Sequence, residues 1–177
     1  MKLRLFYALW PAPQVRTALA DAARPLLEAC RGRRVPTRNY HLTLAFLGGV
    51  PEQRLDELHA AAAGVTVEPF TLRIDRHGHW RGPQVAWLGC SRTPAAATVL
   101  ADDLRHALEP LGFKPDPRPF RPHLTVLRGC RACDWSGEIE PVEWPVSGFV
   151  LVRSETLPGG PVYRVVWPLP DREAAPS

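Results

Sequence analysis

Two short segments of the chain begin alike: His41-Leu42-Thr43-Leu44 and His123-Leu124-Thr125-Val126. Each sets an imidazole two residues from a hydroxyl and puts an aliphatic residue after each of them. Imidazole titrates near neutrality, so a pair of imidazoles can take up one proton while releasing another. Two hydroxyls can donate hydrogen bonds to an oxyanion. No carboxylate joins the repeated pattern, and two histidines without a third ligand make a poor metal site, so neither a metal nor another cofactor is expected. In-line attack at phosphorus needs a base, an acid and donors for the equatorial oxygens, and that is the chemistry this set of groups fits.

A single histidine on a half-buried strand is usually a hydrogen-bonded packing residue. Here each copy also follows a basic, proline-containing loop, "RGRRVPTRN" before His41 and "GFKPDPRPFRP" before His123. Duplication in the same context favours function. His59, His77, His79 and His106 lack that context and read as surface or packing residues, with His77-Gly78-His79 in a hairpin turn.

Side chains alternate along a strand, so His41 and Thr43 share one face and Leu42 and Leu44 the other, with the same division from His123 to Val126. Each segment therefore has an apolar face for a core and a polar face for a site. The surrounding pattern predicts a strand over Leu3–Trp10, a helix over Val15–Cys30, and a helix opened by Pro51 and running to about Ala63. Phe70–Trp80 and Gln84–Cys90 read as an antiparallel pair, and Pro94–Leu111 as an amphipathic helix. Two strands follow, around Val146–Arg153 and Val162–Trp167, joined by "LPGG". The second half echoes the first as helix, basic loop, histidine strand and glycine. We therefore expect an α+β fold of two pseudo-twofold-related lobes, antiparallel strands with flanking helices, whose polar faces meet in a central cleft. Residues 1–170 form that single bilobal domain, and 171–177 a polar tail.

The 177 residues carry a formal net charge of +4, almost all of it from arginine, since Lys2 and Lys114 are the only lysines. That leans toward a polyanionic partner, but a chain equally rich in alanine and proline can owe its arginines to coding composition. Where each arginine falls is what matters. No apolar run is long enough to span a membrane. The apolar start is broken by Arg4 and followed by Pro11 and Pro13, so it reads as a buried strand and the chain as cytoplasmic. Cys130 and Cys133 form a C-x-x-C, while Cys30 and Cys90 stand apart; all four read as reduced thiols.

With these residues in place, the sequence resembles the two-histidine phosphoesterase superfamily, and within it the RNA 2′,3′-cyclic phosphodiesterases, also called the LigT or 2′-5′ RNA ligase family. "RLFYAL" is similar to the family's first strand, "NYHLTLAFLG" and "RPFRPHLTVLR" to its two His-x-Thr segments, and "LVRSETLPGGPVYRVVWPL" to its closing hairpin. The resemblance implies a metal-independent opening of an RNA terminal 2′,3′-cyclic phosphate to a 2′-phosphate, with reversible 2′-5′ RNA ligation as a further activity. It implies His41 as proton donor to the leaving oxygen, His123 as proton acceptor from water, Thr43 and Thr125 as substrate contacts, and Arg128 as a phosphate ligand. Half of an exposed ion pair is the lesser reading of Arg128, while Arg38, Arg118 and Arg121 read equally as phosphate contacts or plain surface charge. The implied partners are RNA ends bearing cyclic phosphates, tRNA halves among them, and nucleotides. A monomer is expected. Two other readings stay open here: a non-catalytic RNA-end binding module, and a phosphodiesterase for another nucleotide cyclic phosphate such as that of ADP-ribose.

Overall fold

The computed structural model describes residues 1–114, 116 and 118–168; the tail assigned to 171–177 lies outside the described residues. The first strand, β1 (Lys2–Leu9), is an interior strand of its sheet and is buried from Leu5 to Leu9, with Leu5, Tyr7 and Leu9 in the main core and Phe6 and Ala8 in a smaller cluster on the other face. Helix α1 (Pro13–Ala29) starts on a proline, where a missing N–H costs nothing, and buries Val15, Leu19, Ala22, Ala23 and Leu26. The basic loop holds a two-residue strand, β2 (Arg33–Arg34), not foreseen from sequence.

The first histidine segment opens β3 (Leu42–Pro51). Pro51 therefore ends a strand, and the predicted helix begins later, as a 3₁₀ turn at Glu52–Arg54 running into α2 (Leu55–Ala63). The segment read as one strand over Phe70–Trp80 is two, β4 (Phe70–Ile74) and β5 (Arg76–Trp80), which break at Asp75 and go to different sheets. His77, Gly78 and His79 thus lie within β5 and not in a hairpin turn; the turn falls between Trp80 and β6 (Val85–Gly89). Asp75 explains the break: its carboxylate accepts from the Ser91 backbone N–H at 2.7 Å and the Ser91 hydroxyl at 2.6 Å.

Helix α3 (Ala95–Leu108) precedes the second histidine strand, β7 (His123–Arg128). The chain closes with β8 (Val142–Val146), β9 (Val150–Leu157) and β10 (Gly160–Trp167). The described residues form three antiparallel sheets, in the orders β10-β9-β1-β3, β2-β7-β6-β5 and β4-β8. β1–α1–β3 and β6–α3–β7 are the repeated units, each a strand, a helix and a His-x-Thr strand paired with the first. The helices are exchanged: α1 leaves β1 and packs on β7 and β8, whereas α3 leaves β6 and packs on β3. Each sheet is thereby covered by the other's helix, and β3 and β7 lie against one another.

That exchange overturns the reading of the cysteines. It carries the C-terminal end of α1 to the loop after β7, where Cys30 and Cys133 form a disulfide, Cα–Cα 5.0 Å, across 103 residues of chain. Only Cys90 and the buried Cys130 remain free thiols. Among the described residues no helix is long and apolar enough to cross a membrane.

Candidate active site

The strand alternation holds where it matters. Leu42, Leu44, Leu124 and Val126 are buried, while His41, Thr43, His123 and Thr125 are half-buried on the opposite face. Both strands then depart from it in the same way. On β7 the register skips from Thr125↔Trp87 to Leu127↔Ala86, leaving Val126 as an extra, bulged residue. On β3 it skips from Thr43↔Ala8 to Ala45↔Tyr7, leaving Leu44 bulged. A bulge adds one residue and so resets the parity of everything after it. Strict alternation from His123 would send Arg128 to the core face; the bulge at Val126 returns it to the polar face. Its counterpart on β3, five residues after His41, is Phe46, which is 58% exposed. Arg128 and Phe46 both line the cleft between the lobes.

The cleft has a volume of about 1280 Å³, and His41, Thr43, His123 and Thr125 line it together. The two imidazoles are held alike. His41 Nδ1 lies 2.7 Å from the Asn39 carbonyl and His123 Nδ1 2.9 Å from the Arg121 carbonyl, in both cases two residues upstream. A carbonyl only accepts, so each Nδ1 carries the proton and each Nε2 is left to exchange one. Asn39 is itself buried, and its amide donates to the Pro161 carbonyl at 2.9 Å, tying the turn before β3 to β10.

The surroundings of the rings differ. His41 packs against Phe6, Tyr163 and Trp10, with ring centroids at 4.8, 5.2 and 6.0 Å. His123 has one aromatic neighbour, Trp80, edge-on at 4.6 Å. Burial pushes the His41 pKa down to about 4; the Asn39 carbonyl opposes this, and the charges of Arg128, His123 and Arg16 add to it. His123 is also lowered, first by burial and then by Arg118 and Arg128, against the Arg121 carbonyl. The Arg128 charge lowers the pKa of both imidazoles. Arg128 has no carboxylate partner among the described residues.

Of the flanking arginines, Arg118 and Arg121 line the cleft, and Arg118 is forked onto Asp116. Arg38 does not line it; only its carbonyl is engaged, by Arg16 at 2.6 Å. Arg16 also donates to the Pro11 carbonyl and sits over the Trp10 ring, which fixes one wall of the His41 pocket. Six lysine and arginine side chains line the cleft (Arg81, Arg105, Lys114, Arg118, Arg121, Arg128) against one carboxylate, Asp116. The modest net charge of the chain is thus concentrated where the histidines are. His79, read as a surface or packing residue, lines the same cleft with Nε2 2.6 Å from the Cys130 carbonyl. Sequence reasoning also passed over Phe6, Trp10, Arg16, Phe46, Trp80 and Tyr163. Phe6, Phe46 and Tyr163 carried a signal through their places in segments that resemble the family's; Trp10, Arg16 and Trp80 carried none. Among the described residues no three His, Cys, Asp or Glu side chains gather as a metal site would need.

Two exchanged α+β lobes, a duplicated imidazole–hydroxyl face and a cationic cleft define an enzyme of the two-histidine phosphoesterase class. Comparison with known proteins agrees. A model of the LigT-like phosphoesterase family matches the chain twice, over residues 9–87 and again over 88–163. The RNA 2′,3′-cyclic phosphodiesterase of Thermus thermophilus is 34% identical over 93% of this chain and 88% of its own, and that of Escherichia coli 35% identical over 88% and 93%. The crystal structure of E. coli LigT complexed with 3′-AMP matches with a TM-score of 0.82 at 30% identity, covering 94% of this chain and 96% of that one. The chain belongs to the LigT-like phosphoesterase family.

Proposed function

We propose that the enzyme hydrolyses RNA terminal 2′,3′-cyclic phosphate to a 2′-phosphate by paired-histidine acid–base catalysis, without a metal. The observation that carries this reading is the pair of Nδ1-anchored imidazoles facing one cationic cleft. His123 Nε2 takes the proton of the attacking water as its oxygen bonds to phosphorus. The P–O3′ bond breaks, and His41 Nε2 gives its proton to the departing 3′-oxygen. Thr43, Thr125 and Arg128 hold the non-bridging oxygens, which gain charge in the transition state. With a ribose 5′-hydroxyl in place of water as the nucleophile, His123 takes its proton, the same P–O3′ bond breaks with His41 protonating the 3′-oxygen, and the product is a 2′-5′ phosphodiester; the reverse of that step cleaves the 2′-5′ linkage. The exposed ring of Phe46 offers a face on which a nucleobase can stack. Relatives named for RNA 2′,3′-cyclic phosphate and a neighbour holding 3′-AMP support the substrate class. One chain supplies both half-sites, so the reaction needs no second subunit.

³¹P NMR of a short RNA ending in a 2′,3′-cyclic phosphate is the direct test. The expected product is the 2′-phosphate, formed at the same rate with or without EDTA. A 3′-phosphate would refute the assignment of the leaving oxygen, and loss of rate with EDTA would refute the metal-free mechanism.

The pH dependence is a second expected result. In the free enzyme His41 holds its proton only toward pH 4, while His123 is already neutral below the usual histidine value of 6.5. The productive state, His41 protonated and His123 neutral, is therefore populated best between those limits, and kcat/KM should peak on the acid side of pH 6.5. Bound phosphate brings negative charge against both rings, raises both pKa values and moves the kcat optimum to higher pH. A kcat/KM maximum above pH 7, or coincident profiles, would contradict this.

A further inference from the structure

We propose that β2 and the hollow beyond it form a second RNA-binding site, which takes the phosphates of nucleotides upstream of the cyclic end; this rests on the proposed RNA substrate. β2 is two residues long, and Arg33 stands directly opposite Arg128 on the antiparallel ladder. Directly opposed residues point to the same face, so Arg33 shares the face of the cleft arginine. Arg34 turns the other way and donates to the Leu27 carbonyl at 3.1 Å. Like charges opposed in this way repel unless an anion lies across them. Among the described residues neither Arg33 nor Arg128 pairs with a carboxylate.

The chain leads from there into a second hollow of about 670 Å³. Val35 and Arg128 line the cleft, and Gly32 and Gly129, close by along the chain, line the hollow. At strand rise the step from Val35 to Gly32 is about 10 Å, a distance the next nucleotides of a cleft-bound RNA can span. Arg31, Arg131 and the half-buried ring of Trp135 line the hollow, with Asp134 as its one carboxylate. Neither arginine is paired with an acid among the described residues. Cations beside an aromatic ring are what a single-stranded backbone and its bases bind.

Two features hold this geometry. A Cβ on Gly32 would meet the Arg128 carbonyl oxygen at 3.0 Å, so glycine lets β2 lie close along β7. The Cys30–Cys133 disulfide joins the residue before Arg31 to the loop carrying Arg131 and Trp135. The segments carrying Arg31 and Arg131 are thereby tied to one another and to β7.

The test compares a ribonucleoside 2′,3′-cyclic phosphate with a six-nucleotide RNA bearing the same cyclic end. Arg33→Glu and the double variant Arg31→Glu/Arg131→Glu should each lower kcat/KM on the RNA by about tenfold. Each should also flatten its salt dependence, by roughly 0.7 in log–log slope for every phosphate no longer neutralised. The double variant should leave the mononucleotide within about twofold. Equal losses on both substrates, or no loss on the RNA, would overturn the proposal. If the wild-type enzyme turns over neither substrate, the reading of its activity fails. The second site is then judged by fluorescence anisotropy with the six-nucleotide RNA, where undiminished binding by both variants overturns it.

Discussion

His41→Ala and His123→Ala are each expected to lower kcat on a cyclic-phosphate RNA end by about 10²–10⁴-fold, the range for removal of a positioned acid or base. The two losses should be far from additive, because proton donation and acceptance belong to one displacement at phosphorus and neither group works at full effect alone. The double variant is expected close to the worse single one. Binding should weaken much less, since Arg128 and the threonine hydroxyls remain. The urea midpoint separates loss of chemistry from loss of fold. His123, with one aromatic neighbour, should leave stability nearly unchanged, whereas His41 fills a space between three rings and its removal costs packing. His41→Gln keeps much of that volume but carries no titrating proton, so it should regain stability without regaining activity. Full turnover by either alanine variant would refute the mechanism.

Arg128→Ala is expected to lower kcat/KM by about 10²–10³-fold, as for loss of one donor to a developing oxyanion. Arg128→Lys should recover only part of this, because an ammonium cannot span two phosphate oxygens as a guanidinium fork does. A second readout distinguishes a charge in the site from a merely structural arginine. The Arg128 charge lowers the pKa of both His41 and His123, so its removal must raise both. The lower of the two pKa values sets the acid limb of kcat/KM and the higher sets the alkaline limb. Both limbs therefore move upward in Arg128→Ala, and Arg128→Lys should leave them near their wild-type positions. A large activity loss with histidine titrations unchanged would show that Arg128 acts elsewhere.

Much of the site was legible because period-two alternation is local. A histidine and a threonine two residues apart on a strand share a face whatever the rest of the chain does. The apolar partners Leu42, Leu44, Leu124 and Val126 state which face is core, and all four are buried. The strand–helix–strand repeat was legible for the same reason, since it rests on periodicity within short windows. What failed depended on which distant segment comes alongside. Phe70–Trp80 has the pattern of one strand, yet the Asp75–Ser91 hydrogen bonds divide it between two sheets. Cys133 reads as half of a C-x-x-C until helix exchange brings Cys30 to it. The aromatic wall of His41 comes from β1, its following loop and β10, and nothing in the spacing of Phe6, Trp10 and Tyr163 joins them.

The sequence by itself determined that two His-x-Thr strands exist and which face each buries. Only the tertiary structure decided how each half is turned and surrounded. The bulges at Leu44 and Val126 form where β3 and β7 pair with β1 and β6, and a bulge belongs to a pair of strands, not to either one. By resetting parity they turn Phe46 and Arg128 toward the cleft, an aromatic ring in one half and a cation in the other. Burial then separates the imidazoles, because three rings close around His41 and one around His123. Desolvation depends on everything that packs around a group, so no stretch of sequence contains it.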